Sequence, residues 1–302
     1  MFSHHGAVGS ASTRRIRLSH PLLITHTDMD GSCCAICFRE VFPDSSVLYT
    51  DYDRINAVLQ SILDEGHDGL VVVADILGRR DLMTELFATR GPLKLRFFDH
   101  HKEGEYLNSW PGSKHDIQRC GGLILAQELG CPQHCIDFAE VVDCYDRWVK
   151  DDSNFELAQD LNLLHKFIGQ NRFVARGADL MLSREEDDLL EILKERDQKD
   201  IDQWTKHAQT FLDGDGNCFL FLVGVTNVVA HAVLIGHPAK AAYAVIWNSR
   251  FNTVTLCSTD EGPDVQVLAK RLGGGGHRNA AGFPVSPTKV AAVARALLLL
   301  ET

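Results

Sequence analysis

The residues best equipped for chemistry stand just past short apolar runs. After residues 21–25 (PLLIT) comes His26-Thr27-Asp28-Met29-Asp30-Gly31; after 71–74 (VVVA) comes Asp75; after 93–98 (LKLRFF) comes Asp99-His100-His101. A single acidic or imidazole group at a strand end is as readily a helix cap or a solvated side chain. Three runs that end alike point to a shared site. Two carboxylates two residues apart in a loop can turn toward one point, and Gly31 gives the backbone room to turn into a helix. Mixed imidazole and carboxylate donors suit manganese, iron or zinc better than calcium. Asp143, in FAEVVDCYDRW, offers a further carboxylate after an apolar helical stretch, although it is also spaced to pair with Arg147 within one helix. Asp146 is its weaker rival, one turn on and closer to Trp148.

A second concentration lies near the C-terminus, where four glycines lead into His277-Arg278-Asn279. A glycine run can be a simple flexible loop. It can also bring backbone close to a ligand, with exposed N–H groups cradling an anion. Arg278 can grip phosphate with two parallel hydrogen bonds, and His277 can donate to phosphate or stack on a base.

The elements that must position these groups show in the pattern. From residue 21, Val-, Ile- and Leu-rich runs (PLLIT, SVLYT, GLVVVAD, LKLRFFD) alternate with helical lengths such as 53–65 and 79–89, which predicts a parallel sheet with helices on both faces. In such a sheet ligands bind outside the carboxyl ends of the strands, where the three candidate sites lie. Charged residues with Leu189, Leu190 and Leu193 at helical spacing predict one long helix ending at the DGDG stop, joining two domains. The expected division is 20–182, a helical linker 183–213, and a smaller α/β domain 214–302 with strands CFLFLVGV, AYAVIW and TVTLCS, a helix around 265–272 and a last helix from about 287. Residues 1–19 read as a frayed arm.

Composition narrows the function. With 302 residues and 45% apolar content the chain is globular. A net charge of −11 argues against coating long nucleic acid through a basic face, so a polyanionic substrate must be short. No apolar run is long enough to span a membrane, and the N-terminus lacks a signal-peptide layout. Nine cysteines without two CxxC pairs read as reduced core residues and favour a cytoplasmic location; Cys33, Cys34 and Cys37, on a predicted helix, are expected to pack rather than ligate.

HTDMDG, the isolated Asp after VVVA, the DHH triplet and the Asp of VVDCYD, in this order, resemble the four motifs of the DHH phosphoesterases. GGGGHRNAAGF resembles the signature of the C-terminal domain that accompanies many of them, so the likeness spans about residues 21–290. The His-x-Asp-x-Asp-Gly spacing is closer to the NrnB-like oligoribonuclease branch than to manganese pyrophosphatases. The resemblance implies two divalent ions, Mn2+ first among them: His26, Asp28 and Asp75 would hold one, and Asp30, Asp75, His100 and Asp143 the other. It implies that His101 faces the phosphate, that Asp99 orients a neighbouring histidine, and that Gly274, Gly275, Gly276, His277, Arg278 and Asn279 hold substrate. One departure is Cys257 before Ser258, where family members often carry an Arg-Ser pair, so that the grip could be shared with Arg271 or Arg250.

The implied activity is hydrolysis of short oligoribonucleotides or linear dinucleotides to mononucleotides, with water as the nucleophile and no covalent enzyme intermediate. The alternatives are a phosphatase of 3′-phosphoadenosine nucleotides, a cyclic-dinucleotide phosphodiesterase, or a catalytically silent nucleotide-sensing or RNA-binding module. The implied partners are short RNA, a dinucleotide or a nucleotide, with neither long nucleic acid nor membrane; a homodimer is left open.

Overall fold

The computed structural model describes residues 20–249, 252–286 and 288. The expected N-terminal arm, the last helix from about 287 and Arg250 lie outside them. The chain divides into two compact units between Met181 and Leu182.

The first unit runs β1 (Leu22–Thr25), α1 (Met29–Val41), β2 (Ser46–Tyr49), α2 (Ile55–Glu65), β3 (Val71–Ala74), α3 (Arg80–Arg90), β4 (Leu95–Asp99), a 3-10 segment (Lys102–Ser109), β5 (Lys114–His115), α4 (Gly121–Glu128), α5 (Gln133–Asp146), α6 (Phe155–Ile168) and α7 (Gln170–Arg176). The strands form one parallel sheet in the order β2-β1-β3-β4-β5. Strands β1 and β3 are buried along their whole length, which is why they read as unbroken apolar runs rather than alternating ones. Ile24, Val71, Val73 and Phe97 meet Ile55 and Leu59 of α2 and Leu82, Met83 and Leu86 of α3. The alternating residues Leu23 and Val72 are equally buried, and α1 packs on β1 while α4 packs on β3 and β4. From β1 the sheet grows toward β2 on one side and toward β3 on the other. The carboxyl ends of β1 and β3 therefore flank the crevice that forms where strand order reverses.

The second unit runs α8 (Arg184–His207), β6 (Gln209–Leu212), β7 (Cys218–Val223), α9 (Asn227–Gly236), β8 (Tyr243–Asn248), β9 (Thr253–Ser258), α10 (Val265–Arg271), β10 (Gly275–Gly276) and β11 (Ala280–Pro284). Its sheet order is β10-β11-β9-β8-β7-β6, with β7 and β8 parallel and the other pairs antiparallel. Ser183 and Glu186 open α8 with a reciprocal cap: the Glu186 amide donates to the Ser183 hydroxyl and the Ser183 amide to the Glu186 carboxylate. Ile201 and Trp204 of α8 join the core formed by Leu220, Leu222, Val229, Val233 and Ile246.

The long helix is shorter than the sequence pattern predicts. Residues 209–212 leave it and pair antiparallel with β7. Thr210 and Phe211 are strand formers, and the turn that follows is closed by the Asp213 carboxylate, which accepts from the amides of Asp215 and Asn217. The DGDG segment is thus a hairpin turn, not a helix stop.

Candidate metal centre

The residues expected from strand ends do converge at the carboxyl edge of the first sheet. Asp28 caps α1, its carboxylate accepting the Gly31 amide at 3.0 Å and meeting His26 Nδ1 at 2.8 Å. Asp30, in the first turn of α1, is buried, and its two oxygens accept the amides of Gly121 and Gly122 at the start of α4, each at 2.8 Å. Asp75 follows β3 with φ +59°, a left-handed conformation that few non-glycine residues adopt, and its amide donates to the Phe98 carbonyl. His100 Nε2 lies 3.4 Å from Asp75 Oδ1 and 3.5 Å from Asp146 Oδ2.

At this edge, two groups of donors are close enough to hold an ion, His26, Asp28 and Asp75, and Asp30, His100 and Asp146, with the donor atoms of each group within 4.8 Å of one another. Asp143 joins neither, a departure from the sequence reading. Its carboxylate accepts the Cys120 amide at 2.6 Å and is gripped by Arg147 through Nε at 2.8 Å and Nη2 at 2.5 Å. Asp146, one turn on, faces His100 instead. The reason is local: the amide at the start of α4 and the Arg147 fork together saturate Asp143, leaving its neighbour on the same helix to face the centre.

The donor set fits cations. Asp75 Oδ2 is buried with no hydrogen-bond partner, which is costly for a carboxylate oxygen unless an ion meets it. Burial, and then the charge of Asp28, push the Asp30 carboxyl up to about 6. Burial, with Asp30, Asp28 and Asp146 next, pushes Asp75 well above the carboxylate range, and burial with Asp30, Asp28 and Asp143 does the same to Asp146. At Asp28, whose side chain is 47% exposed, desolvation works upward, but the charge and hydrogen bond of His26 and the Gly31 amide prevail and hold it below its usual range. Carboxyls that resist ionisation because they are buried and repel one another are what a divalent ion relieves.

Beside this centre stands a line of three groups. His101 Nδ1 meets Asp99 Oδ1 at 2.9 Å, the His101 amide donates to Asp99 Oδ2, and His101 Nε2 meets the Tyr52 hydroxyl at 2.8 Å. Burial lowers the His101 pKa, but Asp99 outweighs it and the net shift is upward. The His101 carbonyl accepts from His115 Nε2 at 2.7 Å, which fixes the backbone of the triplet. His100 and His101 thus face different partners, the first toward Asp75 and Asp146, the second toward Asp99 and Tyr52.

The glycine run of the second unit is a tight hairpin. A Cβ on Gly274 would lie 1.9 Å from the Gly282 carbonyl oxygen, so β10 and β11 can approach only because that position has none. His277 and Ala280 close the turn through paired backbone hydrogen bonds. The exposed Arg278 guanidinium donates to the carbonyls of Gly262 (3.0 and 3.2 Å) and Asp260 (3.2 Å), and Asn279 Nδ2 donates to the Asp260 carboxylate. Gly275 and Gly276 pair with β11, and Cys257 on β9 pairs with Ala280.

Sequence reasoning overlooked Tyr52 and the Gly121-Gly122 pair. A Cβ on Gly121 would come within 2.7 Å of Asp75 Cβ, and one on Gly122 within 2.8 Å of Asp30 Oδ1. The signal was present as two glycines opening an apolar helix, a position where close approach to another chain segment is expected.

No family model matches the chain. It is 24% identical over 297 residues to the oligoribonuclease NrnB of Bacillus subtilis, a match covering 87% of this chain and 72% of that protein. Among solved structures, the DHH domain of a member of a family of ribosomal proteins superposes with TM-score 0.58 at 13% identity, covering 92% of this chain and 85% of that one. The pGpG-specific phosphodiesterase PggH of Vibrio cholerae gives 0.50 at 12% identity, covering 93% and 98%.

Titration calorimetry with Mn2+ separates the two helix carboxylates. Asp146→Asn is expected to lose binding by roughly tenfold or more, whereas Asp143→Asn should retain it within a few-fold. The raised Asp30, Asp75 and Asp146 carboxyls must give up protons when an ion enters, so affinity should climb with pH, Asp30 contributing as pH rises through about 6. Affinity that is flat across that interval would contradict the electrostatic account.

Proposed function

We propose that this chain, an NrnB-like member of the DHH family, is a metal-dependent phosphodiesterase that hydrolyses short oligoribonucleotides or linear dinucleotides to mononucleotides. The observation that carries the reading is the convergence of Asp28, Asp30, Asp75 and Asp146 with His26 and His100 at one crevice. These residues would hold two divalent ions, Mn2+ being favoured by the mixture of imidazole and carboxylate. When bound, such ions supply Lewis-acid stabilisation of the phosphoryl oxygens and lower the pKa of the attacking water.

The chain's own groups do the rest. Asp30 is fixed by two helix amides and Asp75 by its strained backbone, so neither needs to reorganise when substrate arrives. Asp99 accepts from Nδ1 of His101 and so sets its tautomer. With its pKa raised, His101 carries the second proton to higher pH, donates through Nε2 to the Tyr52 oxygen, and leaves the hydroxyl proton of Tyr52 to point at the anionic substrate. Short substrates are supported by the net charge of −11, which disfavours coating a long polyanion, and by the activities named for NrnB and PggH. A cytoplasmic site of action fits nine cysteines of which none is in a disulfide. In the same reading the His277-Arg278-Asn279 turn, with Gly274 to Gly276 shaping it, binds substrate.

A time course with Mn2+ on end-labelled RNA of two to seven residues, with cyclic dinucleotides and 3′-phosphoadenosine nucleotides in parallel, decides the substrate class. Conversion of dinucleotides to mononucleotides is expected to be fastest, and exclusive cleavage of a cyclic or bisphosphate nucleotide would overturn the reading. Tyr52→Phe should bind Mn2+ normally yet lower kcat by roughly ten- to a hundredfold, the effect of one charge-assisted hydrogen bond.

For the turn, Arg278→Ala should raise KM for a dinucleotide about tenfold. Bis-p-nitrophenyl phosphate, which offers no second nucleotide, should be cut at the normal rate. Equal losses on both substrates would assign Arg278 to holding the 260–262 loop alone.

A further inference from the structure

A second set of metal-type donors lies in the first unit, away from the carboxylate centre. Glu40 is in the last turn of α1, and His134 and Cys135 are in the first turn of α5. His134 Nε2 is 3.5 Å from Cys135 Sγ and 4.0 Å from Glu40 Oε1, and the three donor atoms lie within 4.8 Å of one another. A tetrahedral ion with Zn–S of about 2.3 Å and Zn–N of about 2.0 Å spaces its sulfur and nitrogen ligands by about 3.5 Å. The sulfur–nitrogen distance therefore already matches, and Glu40, with its side chain 46% exposed, is free to swing in.

The thiol is prepared for the role. A hydrogen bond with Cys37 and the neighbouring His134 draw the Cys135 pKa down to about 7 against the opposing effect of burial. Cys37 itself, hydrogen-bonded with Cys131, Cys135 and Cys33 and buried, is pushed well up and keeps its proton. A thiolate beside an imidazole selects zinc-class ions over Mn2+, Mg2+ or Ca2+. An exposed histidine–carboxylate pair alone would contribute little and would have no need of a thiol.

We propose that Glu40, His134 and Cys135 form a thiolate-containing site for a zinc-class transition ion, with its fourth position left to water. The site joins the end of α1 to the start of α5. Those two helices carry Asp30 and Asp146 at their opposite ends, and they pack against each other. An ion there staples the far ends of the pair whose near ends bring carboxylates together, and it stabilises the folded state by mass action.

The test is titration of the chelator-treated full chain with Co2+, whose bonds to thiolate give a sulfur-to-metal charge-transfer absorption that carboxylate and imidazole ligands do not. Wild type should show the band rising to the intensity of one thiolate–metal bond per chain once the sites are filled, and Zn2+ should bleach it. Asp75→Asn should keep it, because the proposal does not depend on the carboxylate centre. Cys135→Ser should abolish it. Changes to groups that merely support a metal's ligands already cost roughly 10–100-fold in affinity, so His134→Ala should weaken Co2+ binding by at least that much. Absence of the band in wild type, or its survival in Cys135→Ser, would overturn the proposal. If Cys135→Ser proves unstable, unchanged Co2+ affinity in His134→Ala, whose side chain is 58% exposed, would overturn it equally.

Discussion

Four carboxylates crowd into one crevice, and the surrounding fold is arranged to keep them there against their mutual repulsion. Asp28 and Asp30 come from the start of α1, Asp75 from the end of β3 and Asp146 from the end of α5. In a parallel sheet these places are neighbours, because every strand delivers its carboxyl end to the same edge. Helix amides do part of the work of holding charge: α1 meets Asp28, and α4 meets Asp30 and, through Cys120, Asp143. What the amides leave unbalanced shows in the upward shifts of Asp30, Asp75 and Asp146 and in the unsatisfied Asp75 oxygen.

Close packing of backbone makes that geometry rigid. A Cβ at Gly31 would lie 2.1 Å from the His26 carbonyl oxygen, so the turn from β1 into α1 depends on its absence. Asp75 adopts a left-handed conformation at the junction of strand and crevice, and strain of this kind persists only where neighbouring contacts over-determine it. The Gly121-Gly122 pair lets α4 press directly onto Asp75 and Asp30. The carboxylates are thus set by main-chain packing rather than by flexible side chains, as a preorganised site requires.

Much of this was legible in the amino-acid sequence, for a physical reason. Strands buried on both faces must be continuous apolar runs, and polar residues that follow them directly must lie at the sheet edge, so His26, Asp28, Asp30, Asp75 and the triplet 99–101 identify themselves. The choice between Asp143 and Asp146 was not legible. Both lie on one turn of α5, and what separates them is an amide from α4 and the reach of Arg147, contacts that spacing alone does not encode. Residues 209–212 looked helical because a charged helix precedes them, and pairing with β7 decided otherwise. The Cys135 cluster was hidden because Glu40 and His134 are separated by 94 residues of chain, and no short motif joins them.

The proposed pair of ions between these carboxylates is tested most directly by anomalous diffraction at the manganese edge from crystals grown with Mn2+. Two peaks are expected roughly 3.5–4 Å apart, among Asp28, Asp30, Asp75 and Asp146, with Asp143 still held by Arg147. A single peak, no peak, or Asp143 in place of Asp146 at an ion would contradict the account.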